Sequence, residues 1–155
     1  MLYLLFQLGR DRYALPASRV MEVLPLVELQ RIQNVPKGMA GIFNYRGQPV
    51  PVMDLGELTS GQQCRPDFST RIIVIQYPDE SGKLHPLGLI AERATEMMQR
   101  DIGEFKEPGL KLGAPAYLGP VLLDNRGVIQ LIREQRLLPE ETRDRLFGQL
   151  AETCK

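Results

Sequence analysis

Apolar residues along this chain come in short runs that end at turn residues before a helical period can establish itself. The runs are Tyr3 to Leu8, Tyr13 to Leu15, Val20 to Leu24, Gly41 to Tyr45, Pro49 to Val52, Arg71 to Tyr77, Leu87 to Ala91, Ala94 to Met98, Tyr117 to Leu123 and Val128 to Ile132. Bounded as they are by turn signals, they predict about ten strands at barrel-like spacing. Pro78-Asp79-Glu80-Ser81-Gly82 is a turn cluster, and Arg46-Gly47 and Asn125-Arg126-Gly127 stand where hairpins would reverse. Twelve prolines and fourteen glycines leave little room for long helices before the last segment. Single helical turns are expected at Asp54 to Thr59 and Glu134 to Leu138. The end differs: Pro139-Glu140-Glu141 opens a helix, expected over 139–152, whose acids suit the helix dipole and whose Leu146, Phe147 and Leu150 share one face.

Slid along itself, the chain matches twice. A shift of 74 positions sets Leu15-Pro16-Ala17-Ser18-Arg19-Val20-Met21-Glu22 on Leu89-Ile90-Ala91-Glu92-Arg93-Ala94-Thr95-Glu96, keeping Leu, Ala, Arg and Glu in place. A shift of 80 sets Arg46-Gly47 on Arg126-Gly127, Asp54 on Glu134 and Leu58 on Leu138. The two offsets differ only by loop length, so the pattern predicts two similar barrels built from one repeated unit.

At 155 residues and 43% apolar, the chain is long enough for one domain, or two half-domains, around a shared core without metal or disulfide staples. Basic and acidic residues balance at 19 each, which gives no net pull toward nucleic acid or an anionic membrane. Cys64 and Cys154 are too few and too far apart for a disulfide framework and fit a reducing compartment. The apolar opening from Met1 to Phe6 has no basic leader and breaks at Gly9-Arg10-Asp11, so it reads as a strand of a cytoplasmic protein rather than a signal peptide or membrane span.

Catalytic inventory is thin. His85 is the one histidine, with neither cysteine near it in sequence, and zinc ligands do not exist at usable spacing. Asp54 and Glu57 could form a carboxylate pair, but an Asp that closes a strand and caps a helical turn is the plainer reading. Gly38, Gly41 and Gly47 lack the spacing and the Lys-Ser/Thr ending of a phosphate loop. No enzyme activity, cofactor or metal is expected.

The run from Pro36 to Leu55, which contains Gly41, Asn44-Tyr45-Arg46-Gly47 and Val50-Pro51-Val52-Met53-Asp54-Leu55, resembles the central signature of CheW-like domains. Phe6 to Leu8 with Tyr13-Ala14-Leu15-Pro16, Val20-Met21-Glu22-Val23, Gly88-Leu89-Ile90 and Tyr117-Leu118-Gly119 resemble flanking pieces of the same family, so the likeness spans roughly residues 3–138. Glu92 and Arg133 depart from it, standing where the family often has Asp. Leu24-Pro25-Leu26-Val27 and Phe43-Asn44-Tyr45 look like the branch that serves surface-sensing, Wsp-type or other alternative chemosensory arrays rather than flagellar chemotaxis. The resemblance implies a mainly β chain of two intertwined SH3-like five-stranded β-barrels with a C-terminal helix, a single CheW-like domain over 1–155. The sub-barrels would cover 10–68 and 69–138, with residues 1–9 unassigned between them.

It also implies a non-catalytic adaptor in the cytoplasm, recruited to membrane-associated receptor arrays without inserting into the membrane. Its partners would be the regulatory domain of a CheA-type histidine kinase, on one barrel edge, and the cytoplasmic tip of a methyl-accepting chemotaxis receptor, in a groove between barrels. Val20, Glu22, Gly41, Asn44 and Arg46 match receptor-contacting positions; Leu55 and Leu58 are the candidates for the kinase side, where they could pack at a barrel end or inside the core. Each has a plainer reading: Val20 as core, Glu22 as a solvated strand residue, Gly41 as a bend and Arg46 as a hairpin charge. Arg46 is the strongest candidate, because a turn arginine offers rigidly arranged donors to a carboxylate or helix carbonyls. The alternative function for a small barrel is nucleic-acid binding. Balanced charge and aromatics confined to apolar runs argue against it.

Overall fold

Nine strands form among the described residues: β1 (Leu2–Leu8), β2 (Asp11–Pro16), β3 (Val20–Pro25), β4 (Met39–Tyr45), β5 (Gln48–Asp54), β6 (Arg71–Pro78), β7 (Leu84–Gln99), β8 (Leu118–Asp124) and β9 (Gly127–Ile132). Helix α1 (Leu55–Ser60) follows β5, a 3₁₀ turn (Glu134–Arg136) follows β9, and α2 (Glu140–Thr153) ends the chain. The computed structural model describes residues 1–109 and 114–153, with side chains as far as Gly148; the Leu150 side chain and Cys154 lie outside the described residues.

The expected strands Leu87 to Ala91 and Ala94 to Met98 are one strand, β7. No turn residue separates them, and the chain bends at Glu92 and Arg93 without leaving the sheet, with Arg93 at φ 50°. Before the bend β7 pairs antiparallel with β6 and parallel with β5; after it, β7 pairs antiparallel with β1. One strand therefore serves two five-stranded sets, β4-β5-β7-β6-β3 and β7-β1-β2-β9-β8. Neither set closes by a continuous ladder. Single bridges, Gln30 to Ile42 in the first and Lys106 to Val121 in the second, tie the ends of each.

The sets also trade strands at the repeat. β2 leads through the 3₁₀ turn Ala17–Arg19 into β3 of the other set, and the two arms of β7 make the same crossing. In each set a hairpin, β4–β5 or β8–β9, adds its second strand in parallel, Val52 beside Gly88 and Leu131 beside Ala14. Sheet membership thus does not divide at residues 68 and 69, because the chain changes set at Ala17–Arg19 and again at Glu92. Residues 1–9 belong with the second set, through β1.

Period-2 alternation distributes the core. On β6, Ile72 and Val74 turn into the first set's own cluster with Tyr45, Val50, Val52 and Ile90, while Ile73, Ile75 and Tyr77 turn the other way. Ile72 to Ile75 are each at 0% exposure, so this strand is central on both faces. A smaller cluster of Tyr3, Ala14, Phe105, Leu122, Ile129 and Leu131 fills the second set. Between them lies the largest cluster, in which Leu4, Phe6 and Leu15 of one set meet Met53, Leu87 and Leu89 of the other. Each such side chain contributes about 1.5–3 kcal/mol on burial, so the shared core dominates cohesion. α2 docks on it through Leu146 and Phe147, the latter stacked 4.4 Å from His85. The Tyr77 hydroxyl donates to the Gln135 carbonyl at 2.9 Å and accepts from the Leu138 N–H at 2.9 Å, which fixes the approach to the helix.

The β8–β9 hairpin is clipped to β2 by a bidentate pair, Arg12 donating to the two Asp124 oxygens at 2.8 and 2.6 Å. That donation, with the Arg126 N–H, holds the Asp124 carboxyl well below the usual carboxylate range. A depressed carboxyl contributes stability above its unfolded value, about pH 4, and loses it as the pH falls toward the folded value. Asp124→Asn is expected to cost about 1–2 kcal/mol at neutral pH and to flatten the acid limb of stability, both read from urea midpoints across pH.

Candidate functional site

The β4–β5 hairpin turns on two residues with positive φ, Arg46 at 53° and Gly47 at 87°. This is the conformation a two-residue hairpin needs, and Asn44 supports it by accepting the Gly47 N–H on Oδ1 at 2.8 Å. Held this way, Arg46 reaches across to β3 and donates to Glu22 Oε1 at 2.7 Å. The Tyr45 hydroxyl donates to the same oxygen at 2.9 Å, and the guanidinium lies 5.3 Å from the Tyr45 ring centre. The Glu22 carboxylate, above all by accepting that hydrogen bond, raises the Tyr45 phenol from its ordinary value. With the Arg46 side chain 74% exposed, the pair adds little to stability, but it fixes where both groups point.

Below this pair opens a groove of about 810 Å³ whose walls include Leu24, Pro25, Val27, Ile42, Phe43 and Pro49. Val27 is 43% exposed and uncommitted to any core. The far wall is the segment after β3, held to β4 by reciprocal Gln30–Ile42 backbone hydrogen bonds of 2.8 Å. Gly41 makes that approach possible: at φ 152°, a Cβ there would sit 2.5 Å from the Gln30 carbonyl oxygen. An apolar floor with one oriented ion pair on its rim is suited to a protein partner rather than to chemistry.

Of the residues singled out from sequence, the structure brings Glu22, Asn44 and Arg46 to this groove. Gly41 shapes it from behind. Val20 does not line it; it pairs with Ile75 and packs against the shared core. The groove lies wholly on the first strand set, whereas the sequence reading expected one between barrels. Leu55 needs correction: as the first residue of α1 it enters the shared core at 1% exposure and has no surface for a kinase. Leu58 is half-buried against the same core, over Gly38.

Asp54 caps α1, accepting the Glu57 N–H at 3.1 Å, and also takes the Cys64 N–H, so it is committed to structure. His85 is held by Asp79 at 2.7 Å. Burial and the nearby Asp54 push the Cys64 thiol far up, which makes it a poor nucleophile. Among the described residues no group of three His, Cys, Asp or Glu is placed to hold a metal ion. Among the described residues no helix is long and apolar enough to cross a membrane. Sequence reasoning missed Tyr45 as the third member of the rim, and it missed the wall after β3. A signal for the wall existed: Leu26 to Leu29, apolar but for Glu28, lies between Pro25 and Pro36 without period-2 alternation, so these side chains had no strand to fill.

Residues 2–142 match the family model of the CheW-like domain. The chain is 32% identical over 142 residues to a chemotaxis protein CheW of Klebsiella aerogenes, covering 90% of this chain and 82% of that one. It is 27% identical over 136 residues to protein FrzA of Myxococcus xanthus, covering 86% and 82%. The crystal structure of the scaffolding protein TtCheW from Thermoanaerobacter tengcongensis superposes with a TM-score of 0.80 at 23% identity, covering 94% of this chain and 92% of that one. At that identity the likeness speaks for the mostly β fold.

Gly41→Ala is expected to break the wall from β4. Hydrogen exchange at the Gln30 and Ile42 amides should speed up by at least tenfold, with a loss of about 1–3 kcal/mol in overall stability.

Proposed function

The chain belongs to the CheW-like domain family, and we infer from that membership that it is a chemotaxis coupling adaptor, a scaffold that joins partners and catalyses nothing. In this reading the partners are the cytoplasmic tip of a methyl-accepting chemoreceptor and the regulatory domain of a CheA-type histidine kinase, met at receptor arrays on the cytoplasmic side of the membrane. The observation that carries it is the groove under the Glu22–Arg46 pair, apolar in floor, exposed, and rimmed by charges held in fixed positions. We assign this groove to the receptor tip. A helical hairpin offers apolar ridges for Leu24, Val27 and Phe43, and carboxylates or end carbonyls for the free donors of Arg46. The kinase then takes a separate face, with Leu58 the surviving candidate of the two named from sequence.

Nothing favours the nucleic-acid alternative. Charge is balanced, and the groove's aromatics, Phe43 and Tyr45, pack against each other at 5.9 Å rather than standing as open stacking faces.

Calorimetric titration with a cognate kinase regulatory domain, and separately with a receptor cytoplasmic fragment, tests the reading. Both should bind saturably. Arg46→Glu, folded by circular dichroism, should weaken the receptor at least tenfold and leave the kinase domain within about twofold. The swap Glu22→Arg with Arg46→Glu should recover part of the loss by restoring the rim pair. Loss of the kinase with the receptor retained would move the groove to the kinase, and failure to bind either would sink the adaptor reading.

A further inference from the structure

Phe68 stands in open solvent, at 102% relative exposure, on the connection between α1 and β6. The connection around it is pinned. Upstream, the Arg65 N–H donates to Glu92 at 2.7 Å. Downstream, Asp67 Oδ1 accepts from the Ser69 N–H at 2.9 Å, the Ser69 hydroxyl at 2.8 Å and the Thr70 N–H at 3.1 Å. The Ala94 N–H donates to the Ser69 carbonyl at 3.2 Å, which fastens the turn to β7. The chain thus spends at least five hydrogen bonds to hold an aromatic ring where it buries nothing of its own.

The turn that carries Phe68 separates two clefts. Asp67 lines both, one of about 600 Å³ with Arg10, Arg65 and Arg93, the other of about 250 Å³ with Arg93 and Arg126. The clefts are lined by five arginines and three carboxylates, Asp67, Glu92 and Glu96; Arg12 is committed to Asp124, and Glu92 and Asp67 accept backbone N–H groups of the molecule itself, which leaves Arg10, Arg65, Arg93 and Arg126 as the available cations. Arg10, Arg65, Arg93 and Arg126 form no ion pair with any described residue. Arg93 adds a separate sign. Its φ of 50° in mid-strand costs an ordinary side chain about 1 kcal/mol that glycine would not incur. The position nevertheless carries a long, exposed cation facing both clefts.

We propose that this face is a second docking surface, for a partner protein segment that carries carboxylates on either side of an apolar side chain. The Phe68 ring packs on the apolar residue, and the arginines in the flanking clefts hold the carboxylates through paired N–H donors. The surface shares no residue with the Glu22–Arg46 groove and does not depend on the assignment of that groove.

The test is fluorescence anisotropy of the full chain with a labelled synthetic peptide of alternating glutamate and leucine, beside a lysine and leucine control. The acidic peptide alone should bind saturably, and binding should weaken as salt rises. Phe68→Ser should weaken it roughly tenfold with no change in urea midpoint, because the ring touches nothing in the fold. Arg93→Gly should weaken binding severalfold while raising the urea midpoint, since glycine relaxes the backbone; a purely structural residue would not move the two readouts apart. Equal binding of both peptides, no saturable binding, or binding indifferent to both variants overturns the proposal. So does pyrophosphate binding to the same clefts as tightly as the peptide does, independently of Phe68, which would make them a simple anion site. Sedimentation that shows Phe68-dependent self-association without peptide binding would assign the face to a second copy instead and overturn it as well.

Discussion

The architecture depends on a strand that has to satisfy two sheets. Between Leu84 and Gln99 the backbone pairs first with β6 and β5 and then with β1, and the change of partner takes place over Glu92 and Arg93. Glu92 secures the change by accepting the Gly9 N–H from the second set and the Arg65 N–H from the loop below the first. The return crossing, from β2 to β3, is braced differently: Arg19 in the intervening turn pairs at 3.1 Å with the buried Glu134. Because both crossings run through the largest apolar cluster, neither strand set has an interior that is complete without the other. The cooperative unit is the pair of sets.

Much of this was legible in the sequence, and for identifiable reasons. Strand positions followed from apolar runs between turn residues. The helix starts followed from the capping Asp54 of α1 and from the acids after Pro139 in the first turn of α2, because local chemistry decides those features. The repeat was legible through Leu15 with Leu89 and Glu22 with Glu96, and these pairs do occupy corresponding places, on β2 and β7 before their crossings and on β3 and β7 after them. Set membership was not legible. A crossing at Arg93 needs neither glycine nor proline, so it leaves no mark on composition, and a boundary drawn from the linear order fell in the wrong place.

The groove residues divide along the same line. Asn44, Arg46 and Gly47 were readable because a two-residue hairpin turn has a narrow chemistry. Leu55 stayed open between surface and core because an apolar residue after a capping Asp looks alike in both; only the direction in which α1 leaves β5 decides, and here it points inward. The pairing of Glu22 with Arg46 joins residues 24 apart in sequence through a hairpin that folds back over β3. No local pattern announces such a contact. It also means that Arg46 is not a loose charge at a turn: its orientation is set within the molecule by Glu22.

The exchange of strands has a mechanical corollary. A molecule made of two barrels on a linker would act as a hinge, and a pull on one partner would be lost as slack before it reached the other. Here the covalent chain passes from one set to the other through a three-residue turn at Ala17–Arg19 and a bend at Glu92 and Arg93, and both passages are packed into the shared apolar core, so neither is a free linker. The β4–β5 hairpin is tied through β5 to one arm of β7, and the other arm of that strand is paired into the opposite set. A piece built this way serves as a gauge block, setting the spacing and angle between whatever is fastened to its faces.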